Sequence, residues 1–122
     1  MKRYNRIAKS LIPDIIPALE KAHEKWIKGA EQREGIWIDW WDGSGLNYCG
    51  LCDFLRVSGE LNCYYKPRCP LRDFIFFDSC CYEWCQMRNA RNHYNYIEFH
   101  KNAILLRDRI GKLLERARRM AA

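Results

Sequence analysis

Two stretches of the chain carry apolar residues at the spacing of an amphipathic α-helix. In the first, apolar side chains recur every three or four residues and share one helical face: Ile15, Leu19, Ala22, Trp26 and Ala30. Proline fits the first turn of a helix but breaks its interior, so this helix is predicted to begin near Pro13 or Pro17. Gly29 or Gly35 is predicted to end it.

The last third of the chain carries a longer pattern. Apolar residues alternate spacings of three and four without a break: Tyr96, Phe99, Ala103, Leu106, Ile110, Leu113, Ala117 and Met120. This seam predicts a long C-terminal helix that packs on the N-terminal one, or on the same helix of a second copy in a homodimer. A shorter helix is predicted to begin at Asp78 or Ser79, both good N-cap residues, and to run through Cys85 and Arg88.

The region from Gly35 to Pro70 shows neither helical nor strand periodicity over ten residues. It nevertheless contains large aromatic residues that something must hold: Trp37, Trp40, Trp41, Tyr48, Tyr64 and Tyr65. We therefore predict a mainly α fold with one domain over residues 1–122. The N-terminal helical part (1–34) and the C-terminal helical part (79–122) pack together, and a metal stabilises the irregular cysteine-rich part (35–78).

Composition agrees with a folded chain, because 48% apolar and 14% aromatic residues are too many for a disordered polypeptide. Charges and prolines interrupt the first 16 residues before any signal-type apolar block forms, and no run reaches the length of about 18 apolar residues that spans a bilayer. We expect a cytoplasmic protein without a membrane segment. In that reducing compartment, clustered cysteines favour metal binding over disulfides, and their odd number of seven prevents complete pairing.

The cysteines predict a zinc site. Cys49 and Cys52 are separated by two residues, which lets one turn present both thiolates to a single ion. Five more cysteines follow within 33 residues: Cys63, Cys69, Cys80, Cys81 and Cys85. Zinc takes four ligands, and we favour Cys49, Cys52, Cys69 and Cys81 because this set ties the irregular region to the next helix. Other pairings of the later cysteines, an iron–sulfur cluster and unliganded buried cysteines are the alternatives.

The cysteine-rich region orders its motifs as Cys49-x-Leu51-Cys52, then Cys69-Pro70-Leu71, then Cys80-Cys81, then an amphipathic helix. This order resembles a group of small cysteine-rich proteins encoded by bacteriophages, over roughly residues 46–114. The resemblance implies an accessory role in the host cytoplasm and no particular activity. In that group the cysteine before Cys-Pro-Leu is often closer to it than Cys63 is here.

Basic residues are concentrated at the two ends of the chain. Residues 1–34 carry eight basic and five acidic side chains, residues 35–100 six and eight, and residues 101–122 seven and two. Cations on the polar face of the C-terminal helix can bind phosphates or an acidic protein surface. In the preceding segment, basic and amide side chains share one side at i, i+3 and i+7. The candidate binding residues are Arg88, Arg91, Asn95, Arg109, Lys112 and Arg116.

The residues carry no recognisable catalytic pattern, and an enzyme is not expected. We expect a non-catalytic, zinc-stabilised binding or inhibitor module that acts on a host or viral protein. One alternative is a nucleic-acid-binding protein that uses its basic C-terminal helix. The others are a small-molecule binder that traps a nucleotide among Trp, Asn and Arg side chains, and an iron–sulfur redox protein.

Overall fold

The structure is a computed structural model that describes residues 7, 9, 12–41 and 82–122. These residues form four α-helices and no strand: α1 Ile15–Ala30, α2 Trp37–Trp40, α3 Tyr82–Asn92 and α4 Tyr96–Ala121. The prediction of a mainly α fold is confirmed for this part of the chain. None of these helices is both long enough and apolar enough to cross a bilayer. The predicted helix start at Asp78 or Ser79 lies outside the described residues.

Helix α4 is the central element, and both α1 and α3 pack against it. Contacts at the two ends show that α1 runs antiparallel to α4. Glu20 accepts a hydrogen bond from Arg118 near the end of α4, and the Tyr96 hydroxyl at its start donates to the Gln32 carbonyl, which follows α1. The predicted packing of the N-terminal helix on the C-terminal helix is therefore confirmed.

The apolar seam of α4 lies inside this packing. Six of its eight positions are buried: Phe99, Ala103, Leu106, Ile110, Leu113 and Ala117. Tyr96 is partly buried against the core, whereas Met120 near the end of the helix is 41% exposed. The seam is covered within one chain, so a homodimer through it would require α1 and α3 to move away.

Helix α1 buries all five positions of its predicted apolar face, and Pro17 lies in its first turn. The prediction that a glycine ends the helix is wrong, because α1 runs through Gly29 to Ala30 and Gly35 lies beyond it. Gly29 is needed for packing instead. A Cβ atom at this position would lie 2.8 Å from Cε3 of Trp26 and 2.9 Å from Cη2 of Trp40. The absence of a side chain therefore allows two indole rings to approach the helix backbone.

All five tryptophans belong to one aromatic cluster centred on Phe99 of α4. Trp37 and Trp41 stack on Phe99 with ring centroids 4.7 and 5.7 Å away. Trp26 of α1 and Trp84 of α3 each meet Trp41 edge-on at 6.2 Å. Such aromatic pairs contribute about 0.5–1.5 kcal/mol beyond the burial of their surface. Packing between aromatic rings thus orders these tryptophans, for which the sequence alone predicted no packing partner.

Candidate functional site

The chain turns sharply between α3 and α4, within residues 93–95. The N–H of Asn95 donates to the carbonyl of Ala90 at 2.8 Å, and the N–H of Tyr94 donates to the carbonyl of Arg91 at 3.3 Å. This pair of bonds is the Schellman motif, in which the residue after the helix adopts a left-handed conformation and is usually glycine. Here that residue is Tyr94, with φ of 53°. A side chain in this conformation costs roughly 1–2 kcal/mol.

Asn95 connects the end of α3 to the start of α4. Its backbone is extended and its side-chain oxygen accepts a hydrogen bond from the N–H of Glu98 at 3.2 Å, so it caps α4. The Glu98 side chain lies in the first turn, where the helix dipole favours a negative charge. The backbone of the turn is therefore held from both helices, and Asn95 has a structural role there.

Two large apolar side chains project from this turn into solvent. Tyr94 is 71% exposed and Ile97 is 76% exposed. The guanidinium carbon of Arg91 lies 5.7 Å from the Tyr94 ring centroid, and Nε of Arg91 donates to the Trp41 carbonyl at 3.3 Å. Arg88 is exposed, and its guanidinium carbon lies 5.7 Å from the Trp84 ring. We name Arg88, Arg91, Tyr94 and Ile97 the corner surface; it carries two cations and two large exposed side chains.

The structure places Arg109 inside the fold and not on the basic outer face where the sequence placed it. The residue is 8% exposed, and its Nη1 donates to Oε2 of the fully buried Glu83 at 2.9 Å. The buried side of α4 is wider than the heptad seam because α3 covers it as well as α1. Sequence reasoning missed Glu83, although its spacing of four and three to buried Met87 and Ala90 places all three on one face of α3.

Lys112 and Arg116 lie near the other end of α4 and are exposed. Lys112 is 17 residues after Asn95, which corresponds to about 26 Å along the helix. The six predicted binding residues therefore do not form one site. Arg88 and Arg91 lie on α3, Asn95 caps α4, Lys112 and Arg116 lie far along α4, and Arg109 is buried.

A groove of about 530 Å³ runs between α1 and α4. Acidic side chains outnumber basic ones in its lining, which includes Glu20, Glu24, Asp108, Glu115, Lys112 and Arg118. His23 also lines it and lies over Gly111, where a Cβ atom would be 3.1 Å from the imidazole Nε2. The excess of carboxylates disfavours the phosphates of a nucleotide in this groove.

The four predicted zinc ligands, Cys49, Cys52, Cys69 and Cys81, lie outside the described residues. The same is true of Cys63 and Cys80. Cys85 is described, and it lies partly buried on α3 against the core. Within the described ranges, no three His, Cys, Asp or Glu side chains are arranged to hold a metal. Zinc binding by the cysteines therefore stays a prediction.

Comparison with known proteins finds no protein-family model, no curated protein and no solved structure that matches this chain.

Proposed function

We propose that this protein is a non-catalytic binding module that engages a partner protein through the corner surface. One observation carries the proposal: the fold holds Tyr94 in a strained left-handed conformation with its side chain exposed, and Ile97, three residues later, is exposed as well. Neither side chain contributes to the core. Strained backbone positions cluster at functional sites, and Tyr and Arg are enriched among the residues that dominate protein-binding energies.

The surroundings of Tyr94 favour tight binding. Hydrogen bonds from both helices fix the backbone of the turn, and Arg91 is tethered to the Trp41 carbonyl while it contacts the Tyr94 ring. A side chain that is already ordered loses less conformational entropy when a partner binds, which otherwise costs roughly 0.5–1.5 kcal/mol per side chain. The corner surface is thus prepared for contact before the partner arrives.

A protein partner fits these residues better than a nucleic acid. Ile97 cannot stack on a base, although Tyr94 can. Several cations of the C-terminal helices are also engaged by carboxylates: Arg107 by Asp108, Arg109 by Glu83 and Arg118 by Glu20. These pairs interrupt the continuous row of cations that follows a phosphate backbone. Nucleic-acid binding is therefore the second reading, and the experiment below distinguishes the two.

The proposal includes a zinc-stabilised cysteine-rich part and an accessory role toward a host protein. The two-residue spacing of Cys49 and Cys52 supports zinc. The resemblance to small cysteine-rich bacteriophage proteins supports the accessory role. In this arrangement the helices provide a rigid support and the corner surface makes the contact.

The test compares capture of proteins from a bacterial lysate by the immobilised full chain and by three variants. Tyr94→Gly removes the ring while suiting the left-handed backbone, so stability should be unchanged or higher by up to about 1 kcal/mol. Ile97→Ala shortens the second exposed group. Met120→Ala is the matched control, because Met120 is also exposed on α4 but lies 23 residues from Ile97, about 34 Å along the helix.

A protein retained by the parent and by Met120→Ala, but at least about tenfold less by Tyr94→Gly and Ile97→Ala, supports the proposal. The affinity of that purified protein for each variant should follow the same order. Equal capture by all four chains contradicts the corner surface as the binding site. Retention of nucleic acid in place of protein, lost in Tyr94→Gly, would favour the second reading.

A further inference from the structure

A row of exposed side chains continues from the corner surface along the solvent-facing side of α4. Ile97, Lys101 and Leu105 follow one another at i, i+4 and i+8, which spans about 12 Å. Leu105 is 40% exposed and Lys101 is exposed. We name these three residues the outer stripe. They lie on the side of α4 away from the seam that α1 and α3 cover.

Solvent-facing positions of an amphipathic helix are ordinarily polar. Among residues 7, 9, 12–41 and 82–122, the buried core and the side chains packed against it include neither Ile97 nor Leu105. Together with Tyr94, which precedes the helix, they extend over 11 residues, or about three turns of helix, with Lys101 between the apolar side chains. The flexible methylenes of a lysine can also lie against an apolar partner while the ammonium group stays at the edge.

Charge identifies the chemistry of the occupant. Residues 88–105 carry three cations, Arg88, Arg91 and Lys101, against the single acid Glu98. A second copy of the chain would bring the same positive surface against itself and place like charges close together, which destabilises a complex. An acidic partner gains from the same field.

We infer that Tyr94 and the outer stripe bind an acidic amphipathic α-helix of the partner protein, an inference that rests on the proposed function. A straight row at a spacing of four residues matches the ridges through which helices pack on one another. Apolar residues of the partner helix contact Tyr94, Ile97 and Leu105, and its carboxylates flank Lys101 and Arg91. The partner helix needs about three to four turns to cover the row.

The experiment uses the full chain and a synthetic, dye-labelled peptide of about 18 residues that carries leucines on one helical face and glutamates beside them. Binding is followed by fluorescence anisotropy. A second peptide has the same composition in scrambled order, which removes the apolar face but keeps the charge. A third keeps the leucines and replaces every glutamate by lysine. A single-stranded oligonucleotide of similar charge is the fourth probe.

The acidic amphipathic peptide should bind with a Kd in the micromolar range, and the scrambled and lysine peptides at least about tenfold more weakly. Leu105→Ala and Lys101→Glu should each weaken binding about tenfold, and Lys101→Glu should improve binding of the lysine peptide. Lys21→Glu, an exposed position of α1, makes the same change in net charge and should leave the affinity within about twofold.

Equal binding of the scrambled peptide, or an equal loss in Lys21→Glu, would show that net charge alone attracts the peptide and would overturn the inference. Tighter binding of the oligonucleotide, lost in Lys101→Glu, would overturn it as well. So would a dimer of the chain that Leu105→Ala dissociates. If no peptide binds but a Tyr94-dependent protein is captured from the lysate, the helical partner is wrong and the proposed function stands.

Discussion

Replacement of Arg109 by methionine is expected to destabilise the fold strongly, because it removes the guanidinium that faces the fully buried carboxylate of Glu83 at 2.9 Å. Two unit charges about 4 Å apart attract by about 4 kcal/mol at an effective dielectric constant near 20. Removal of one member of a buried pair costs about 3–5 kcal/mol, since the other charge stays in the interior. This is a large part of the roughly 5–15 kcal/mol that stabilises a domain.

Arg107→Met is the matched control. Arg107 Nε lies at the same distance of 2.9 Å from Asp108, but these two side chains are 35% and 54% exposed. Water screens such pairs, and their loss typically costs about 0–1 kcal/mol. The double variant Glu83→Met with Arg109→Met removes both buried charges and is expected to lie within about 2 kcal/mol of the parent, or above it.

Urea unfolding followed by tryptophan fluorescence measures these differences, since Trp84 adjoins Glu83 and all five tryptophans share the cluster. The slope of the free energy against urea should be unchanged, so that midpoints report stability. If Arg109→Met costs no more than Arg107→Met, the burial of the pair is wrong. A double variant as unstable as the sum of the two single variants would show that the two side chains do not interact. Binding studies should accordingly avoid Arg109, whose loss would destabilise the scaffold.

The two buried or half-buried glycines should respond oppositely to alanine. Gly111→Ala should raise the stability by up to about 1 kcal/mol, because alanine favours helix and only half-buried His23 must shift. Gly29→Ala should lower it by about 1–3 kcal/mol, because it displaces the buried indole of Trp26 and the half-buried indole of Trp40. If thermal melting shows that both substitutions change Tm in the same direction, this expectation is contradicted. Leu106→Ala should cost about 2–5 kcal/mol with a Tm independent of protein concentration, and a Tm that rises with concentration would indicate a dimer seam. Metal analysis should find about one zinc per chain, and Cys49→Ser should lose both the zinc and part of the stability. If the chain contains neither zinc nor iron, and Cys49→Ser leaves its Tm unchanged, the metal site is rejected.

The helices with a regular apolar face could be predicted from the sequence, because the apolar positions that recur at helical spacing are the positions that the fold buries. Each position of the face in α1 is buried, and so are the central six positions of the seam in α4. Local signals were less decisive at the helix ends. Gly29 is a good terminating residue by its own conformational preference, but the indoles above it decide its role. The approach of Trp40 to α1 depends on tertiary packing, which local rules do not contain.

The candidate binding residues separate in the same way. The spacing of Arg88, Arg91 and Asn95 predicts a shared side; in the structure Arg88 and Arg91 belong to α3, and Asn95 caps α4. Arg109 could not be assigned, since its environment depends on where α3 packs. Tyr94 was not identified because tyrosine has no special preference for the left-handed conformation, and only the turn between the two helices requires it.

Periodicity and composition alone therefore determined that residues 12–41 and 82–122 are mainly helical and that α1 packs on α4. Tertiary structure alone decided that the five tryptophans form one cluster with Phe99 and that α3 converts a basic position of α4 into a buried ion pair. It also decided that Tyr94, in the link between α3 and α4, and Ile97, in the first turn of α4, are exposed. The physical reason is the separation along the chain of the residues that determine each property. A helical face is set by residues within two turns, whereas burial, charge pairing and exposure are set by elements that meet only after the chain folds.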